Sequence, residues 1–236
     1  MIGAKIIFKR GAQDEAEKPF WISFADLMTA LMVLFLVVMG VALLAVTKHV
    51  SEREKKEQQH RRDIELILNR FEQATQGHPG VKLDRARSVI DFGDRARFAL
   101  GKYNLTPEQE AVLRKFVPEI LQLANDDLGK RVLKRIVVEG YTDKTGSYLS
   151  NLHLSLQRSQ RVLCTMFADR GEHLLNESQK EDVRSLFLVG GYSFNAAKET
   201  DEQSRRVEMR IEFLGLAEQR PPAPAQAGNF GVCALQ

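Results

Sequence analysis

The sequence predicts an α+β protein in three parts: one N-terminal transmembrane helix, a helical stalk, and a C-terminal domain with elements in the order β/α/β/α/β/β. Three observations predict it. Leu27 to Val46 is a run of 20 residues without a charge. Residues 48–76 are dense in Glu, Lys, Arg and Gln and contain neither Pro nor Gly. Beyond Val81, β-branched runs alternate with segments of helical spacing, the signature of helices layered on a sheet. The resulting boundaries are an N-terminal segment 1–19, the membrane helix 20–47, the stalk 48–80, the domain 81–216 and a Pro- and Ala-rich tail 217–236.

Bulk properties narrow the function. A chain of 236 residues accommodates one span and one domain of ordinary size, which excludes a polytopic transporter. The net charge of +3 arises from basic residues scattered among acids, so no basic stripe for nucleic acid exists. Cys164 and Cys233 form no C-x-x-C pair and have no histidines at ligand spacing, which argues against a metal site. No phosphate loop and no G-x-S-x-G occurs, and His49, His60, His78, His153 and His173 are isolated, with solvated positions expected for each. An enzyme is therefore not expected, nor a cofactor.

The apolar run defines the first element. At about 1.5 Å per residue, 20 residues cross the roughly 30 Å hydrocarbon layer. Trp21 stands where an interfacial aromatic belongs. The run exceeds a signal-peptide core and no A-x-A site follows it, so a retained anchor is expected. Lysines and arginines flank it on both sides, so charge bias does not orient it. One carboxylate, Asp26, lies near its beginning. Such a group costs roughly 2.5–3.5 kcal/mol on insertion scales. Read alone, Asp26 is either a headgroup-level residue or an ion-carrying group, since a low-dielectric site penalises the charged form and suits proton uptake and release.

The stalk has one apolar face, Ile64, Ile67, Leu68 and Phe71, at i, i+3, i+4, i+7 spacing, so its far end is expected to dock on something. Gly77-His78-Pro79-Gly80 breaks it. In the domain, Ser88 to Phe92 reads as a strand. Thr106 and Pro107 read as N-cap and first residue of a helix running to about Ala124. Arg135 to Tyr141 is β-branched, Leu154 to Phe167 has helical spacing, and Ser185 to Tyr192 and Arg205 to Phe213 supply two more strands. The last strand alternates, with Val207, Met209, Ile211 and Phe213 on one face and Glu208, Arg210 and Glu212 on the other.

A binding motif lies between Glu139 and Val162. A strand ending in a Thr-Asp turn puts Asp143 at the sheet's end, and Asn151, Leu154 and Arg158 recur at spacings of three and four on the next helix. A carboxylate and a guanidinium facing one pocket hold a zwitterion, the arginine taking a carboxylate and the aspartate an ammonium. A plain surface ion pair between Asp143 and Arg158 is the competing reading. Cys164 fits a helix's apolar face, and both free thiols and a Cys164–Cys233 bridge pinning the tail remain open.

Two resemblances sharpen these readings. F-A-D-L-M-T-A-L-M-V-L-F-L resembles the membrane helix of MotB-type stator subunits, with Phe24 in place of a tyrosine and Asp26, Met28, Thr29, Ala30, Met32, Phe35 and Leu36 matching. It implies that Asp26 translocates the driving ion, proton or sodium, beside a MotA-like ring, and that the protein is a homodimer. Residues 81–215 resemble the OmpA-like peptidoglycan-binding fold, through Gly140-Tyr141-Thr142-Asp143, Asn151 to Arg158 and Ser204-Arg205-Arg206-Val207-Glu208, with departures at Tyr141 and Ser204. It implies that Asp143 and Arg158 grip the diaminopimelate of the peptide stem, with Asn151, Leu154 and one of Arg205 or Arg206 lining the pocket. Peptidoglycan would place the domain in the periplasm and residues 1–19 in the cytoplasm. The chain as a whole is similar to the MotB-like subunits of Zorya anti-phage defence systems. That implies a ZorA-like, pentameric ring partner; a flagellar stator subunit and a passive wall anchor are the rivals.

Overall fold

A computed structural model describes residues 18–222 and 229–235. The expected cytoplasmic segment, up to residue 17, and the middle of the Pro- and Ala-rich tail lie outside the described residues. The chain divides into two compact units, Met1–Lys56 and Glu57–Gln236.

In the first unit the described residues belong to the helix α1, Lys18–Gln76, which is long and apolar enough at its beginning to cross a membrane. Every side chain from Trp21 to Lys56 is exposed. Thr29 Oγ1 donates to the Asp26 carbonyl at 2.8 Å and Thr47 Oγ1 to the Leu43 carbonyl at 2.7 Å, so these hydroxyls are satisfied within the helix without water.

The second unit begins inside the segment expected as a solvated stalk. Its last turns are part of the domain: Ile67, Leu68 and Phe71 are buried in the core, and Ile64 packs against it. The apolar stripe thus docks on the chain's own core, a partner the sequence left unspecified. Arg85 fastens the same turns from outside, donating to Glu65 Oε2 at 2.6 Å and to Glu72 Oε2 at 2.8 Å. The helix stops before Gly77, and Gly80, at φ 91°, takes the left-handed turn that glycine permits.

The domain is a five-stranded sheet with helices over one face. Its strands are β1, Lys82–Asp84; β2, Val89–Asp91; β3, Leu133–Gly140; β4, Phe187–Gly191; and β5, Val207–Phe213, in spatial order β1-β2-β5-β3-β4. All neighbours are antiparallel except β3 and β4. The helices are α2, Pro107–Asn125; α3, Asp127–Val132; α4, Tyr148–Met166; α5, Glu177–Leu186; and the short α6, Asp201–Ser204. Thr106 caps α2 in a full capping box with Gln109, and Pro107 opens it. The expected order β/α/β/α/β/β is kept by β2, α2, β3, α4, β4 and β5. The edge strand β1 and the helices α3, α5 and α6 are additions to it.

The core joins Phe71, Phe92, Phe116, Ile136, Val138, Val162 and Met209 between sheet and helices. The opposite sheet face carries buried charge. Glu139 is fully buried, accepting from Arg210 Nε at 2.7 Å and from the Tyr141 hydroxyl at 2.7 Å. Glu208, also fully buried, accepts from Arg206 Nε at 2.7 Å and from Arg87 Nη1 at 3.1 Å. The histidines depart in part from expectation. His78 is mostly buried, bonded to Glu119 at 2.8 Å and edge-on to Phe116, while His60 bonds the Leu214 carbonyl at 2.9 Å.

Candidate functional site

The end of β3 and the start of α4 build the site. Gly140 closes β3, and a Cβ there would lie 1.9 Å from the Ser155 carbonyl oxygen; on Gly191 of β4 a Cβ would lie 2.7 Å from Ser155 Oγ. The two missing side chains let α4 press onto both strands, which brings the turn after β3 against the helix's first half. Ser147 caps α4, and Asn151, one turn in, donates from Nδ2 to the Thr145 carbonyl at 2.9 Å, fastening that turn.

Asp143 sits in the turn at 3% exposure. Its Oδ1 accepts from the Thr145 amide at 3.0 Å, and its Oδ2 from Arg205 Nη1 at 2.9 Å. Burial pushes the carboxyl up, but the Arg205 hydrogen bond and the Thr145 amide together outweigh it, so the group lies below its ordinary value. Arg205 is itself fixed on three sides, donating also to the Phe98 carbonyl at 3.1 Å and to Glu202 Oε1 at 2.9 Å.

Arg158 approaches from α4 and is fully buried. Its donors go to backbone carbonyls: Nη1 to Tyr141 at 2.6 Å, Nε to Lys102 at 2.9 Å and Nη2 to Ala99 at 3.3 Å. The guanidinium lies 4.9 Å from the Phe98 ring centroid. Burial lowers its pKa to about 10, with the Asp143 charge pulling the other way and Arg205 adding to the fall. The surface ion pair between Asp143 and Arg158 is absent; the direct partner of Asp143 is Arg205.

Of the two tandem arginines only Arg205 reaches Asp143. Arg206 lies on the opposite sheet face, over the Tyr141 ring at 4.2 Å, bonded to Glu208 and to the Ala196 carbonyl. Leu154 is half-buried on α4. Sequence reasoning missed the carbonyls of Ala99 and Lys102, the Thr145 amide and Glu202. Main-chain groups carry no residue-type signal, so only the fold reveals the first three. Glu202 stands three residues before Arg205 on a short helix, a spacing that could have flagged it.

A disulfide joins Cys164 of α4 to Cys233, and Phe230 stacks on Phe167 at 4.9 Å between ring centroids. The tail segment 229–235 is thus held on the far half of α4. Asp26, in the other unit, shares one exposed helix face with Thr29, Ala30, Val33 and Val37. Among the described residues no side chain partners its carboxylate.

Comparison with known proteins gives concordant results. A model described as the OmpA family matches residues 97–225, and one described as membrane MotB of the proton-channel complex MotA/MotB matches residues 8–50. Zorya protein ZorB of Escherichia coli O139:H28 is 44% identical over 226 residues, covering 94% of this chain and 92% of that protein. Zorya protein ZorB of a second Escherichia coli strain, Crooks, is 25% identical over 227 residues, covering 88% and 93%. A solved periplasmic domain of MotB is 15% identical with a TM-score of 0.40, covering 57% of this chain and 68% of that one.

Proposed function

The chain belongs to the Zorya ZorB family and carries an OmpA-family match behind a MotB-family one, and from that premise we propose that it is the wall-anchored stator subunit of an ion-driven motor in anti-phage defence. The observation that carries this reading is the pairing, in one chain, of a lone carboxylate in a membrane-length helix with a buried carboxylate-guanidinium site in an OmpA-family domain.

The division of labour follows from the chemistry. Asp143, with Arg158 and Arg205, is the grip on the diaminopimelate of peptidoglycan: the carboxylate takes the ammonium and the guanidinium groups take carboxylate oxygens. Asn151 and Leu154 shape the wall of that pocket. Arg206 is a structural residue in this reading, because its donors are committed to Glu208 and Ala196. Asp26 takes up and releases the ion, a proton, at the interface with a MotA-like, ZorA-like pentameric ring, around a dimer of this chain. Moving one charge across 100 mV supplies about 2.3 kcal/mol, several times thermal energy. Anchoring holds the dimer still, so that the energy turns the ring.

The disulfide supports the topology. Such bonds persist outside the reducing cytoplasm, which favours a periplasmic domain, a cytoplasmic N-terminus and a single pass through the inner membrane. No enzymatic step belongs to this reading.

Plaque formation on cells carrying the complete operon tests it, with Asp26→Asn against the unchanged chain at matched protein levels. The expected outcome is protection that falls to the level of cells without the operon. Equal protection by both would reduce Asp26 to a tolerated interfacial residue and the protein to a passive wall anchor.

A further inference from the structure

The site just described is shut. Arg158 has no exposed surface, and two of its contacts, from Nε and Nη2, are to the carbonyls of Lys102 and Ala99 in the loop between β2 and α2. Those carbonyls stand in the place of ligand carboxylate oxygens: they accept from the same donors that a bound carboxylate would. A ligand therefore reaches this guanidinium only after residues 99–104 withdraw.

The same loop is tied down from the other side. Arg161, one turn beyond Arg158 on α4, donates from Nη2 to Asn104 Oδ1 at 3.1 Å and to the Leu235 carbonyl at 3.0 Å. Its guanidinium lies 5.6 Å from the Tyr103 ring centroid. Leu235 is two residues past Cys233, which the disulfide fixes to Cys164, three residues beyond Arg161 on the same helix. The bridge thus keeps the tail carbonyl within reach of Arg161, and Arg161 holds the loop that caps Arg158. Arg161 Nε is buried without a partner. Water would solvate it once the loop lifts, which offsets part of the bonds lost on opening.

We propose that the disulfide-bound tail, residues 229–235, is a strap that acts through Arg161 and Asn104 to hold the loop 99–104 closed over Arg158. The inference rests on the reading of Asp143, Arg158 and Arg205 as the wall-binding site. Arg161 and Asn104 are positioning residues in it, touching the loop and not the ligand. Because only the open form binds, the apparent affinity is the intrinsic one reduced by the open fraction, and every contact removed from the strap raises that fraction. One hydrogen bond lost is worth a factor of about three to ten.

The test uses the full chain in lipid nanodiscs and a muramyl tripeptide bearing diaminopimelate as probe. Two alterations are compared with the unchanged protein: the double variant Cys164→Ser with Cys233→Ser, and Asn104→Ala, which changes an exposed side chain and leaves the core alone. Asp143→Asn in each background reports whether the probe occupies the proposed site. The strap predicts faster amide exchange across residues 99–104 in both alterations and binding about three to ten times tighter. Unchanged exchange and affinity in Asn104→Ala, or weaker binding in either folded variant, overturns it. Accelerated exchange with no binding by any form would keep the strap and remove the wall-binding reading instead.

Discussion

Asp26 and Asp143 are the two carboxylates on which the proposed function turns, yet the chain treats them in opposite ways. Around Asp143 it supplies everything: an amide from Thr145, a guanidinium from Arg205, and burial at 3% exposure. Around Asp26 it supplies a helix face, and the hydroxyl of Thr29, one turn on, is turned to the Asp26 backbone carbonyl. The contrast extends to the units that carry them. Between Trp21 and Lys56 every side chain is exposed, whereas the unit from Glu57 onwards closes its own core and pairs its buried acids. In the proposed reading Asp143 is held in place by its own chain before any ligand arrives, whereas Asp26 would meet its partners on another subunit.

The largest effect that would break this contrast comes from Phe71→Ala. If the end of α1 belongs to the domain, the missing ring costs about 3–5 kcal/mol of domain stability, as for other core aromatics. Leu31→Ala, on the exposed half of the same helix, should leave the domain's unfolding midpoint unchanged. Equal responses in thermal or urea unfolding would dissolve the boundary between the units.

Next in size is Arg206→Ala. It leaves Glu208 fully buried without its shortest partner, although Arg87 remains, so about 3 kcal/mol of destabilisation is expected. Peptidoglycan binding, scaled for the folded fraction, should persist in this variant and vanish in Arg205→Ala. A sacculus co-sedimentation assay separates the two.

Acid comes third. Burial raises Asp143, Asp91 and Glu208, but charge-assisted hydrogen bonds, chiefly from Arg205, Lys198 and Arg206 respectively, leave all three below their ordinary values. Carboxyls lowered by folding stabilise the native state above the ordinary carboxylate range, and that stabilisation is lost as pH falls through the lowered values. Unfolding free energy should therefore be level near neutrality and decline below about pH 4.5. Asp143→Asn should make that decline shallower, whereas Asp26→Asn should leave the domain's curve untouched. The smallest effect is Thr106→Ala, which removes one cap of α2 and should cost about 1 kcal/mol.

What the sequence disclosed depended on how much of each signal was local. The cap at Thr106 and the alternation of β5 are written in adjacent residues, and the structure shows both where they were read. The helix α5 escaped notice because ESQKEDVRSL is short and mostly polar, its clearest mark being the Asn176–Gln179 capping box. The strand β1 has three residues and exists only as a partner for β2. The stalk was legible as a helix, but its docking surface was not, since the core it meets is assembled from distant strands. Within the site, Asp143, Asn151 and Arg158 are legible from the strand-end turn and the helical spacing, whereas Arg205 enters only through the OmpA-like resemblance, as one of two candidates with Arg206. That Arg205 and not Arg158 touches Asp143 depends on how β5 is placed beside β3, and no local pattern encodes it.

The placement of β3 carries one more consequence. The strand lies between β5 and β4, in register with β5 from Arg135 to Gly140 and with β4 from Ile136 to Gly140, and the turn bearing Asp143 hangs from its end. A tether that seized that turn and pulled along the strand would strain both ladders sideways at once. Bonds loaded together in shear share the force, whereas those at a peeling edge yield one after another. The polypeptide is thereby arranged to carry tension at the point where it would be moored.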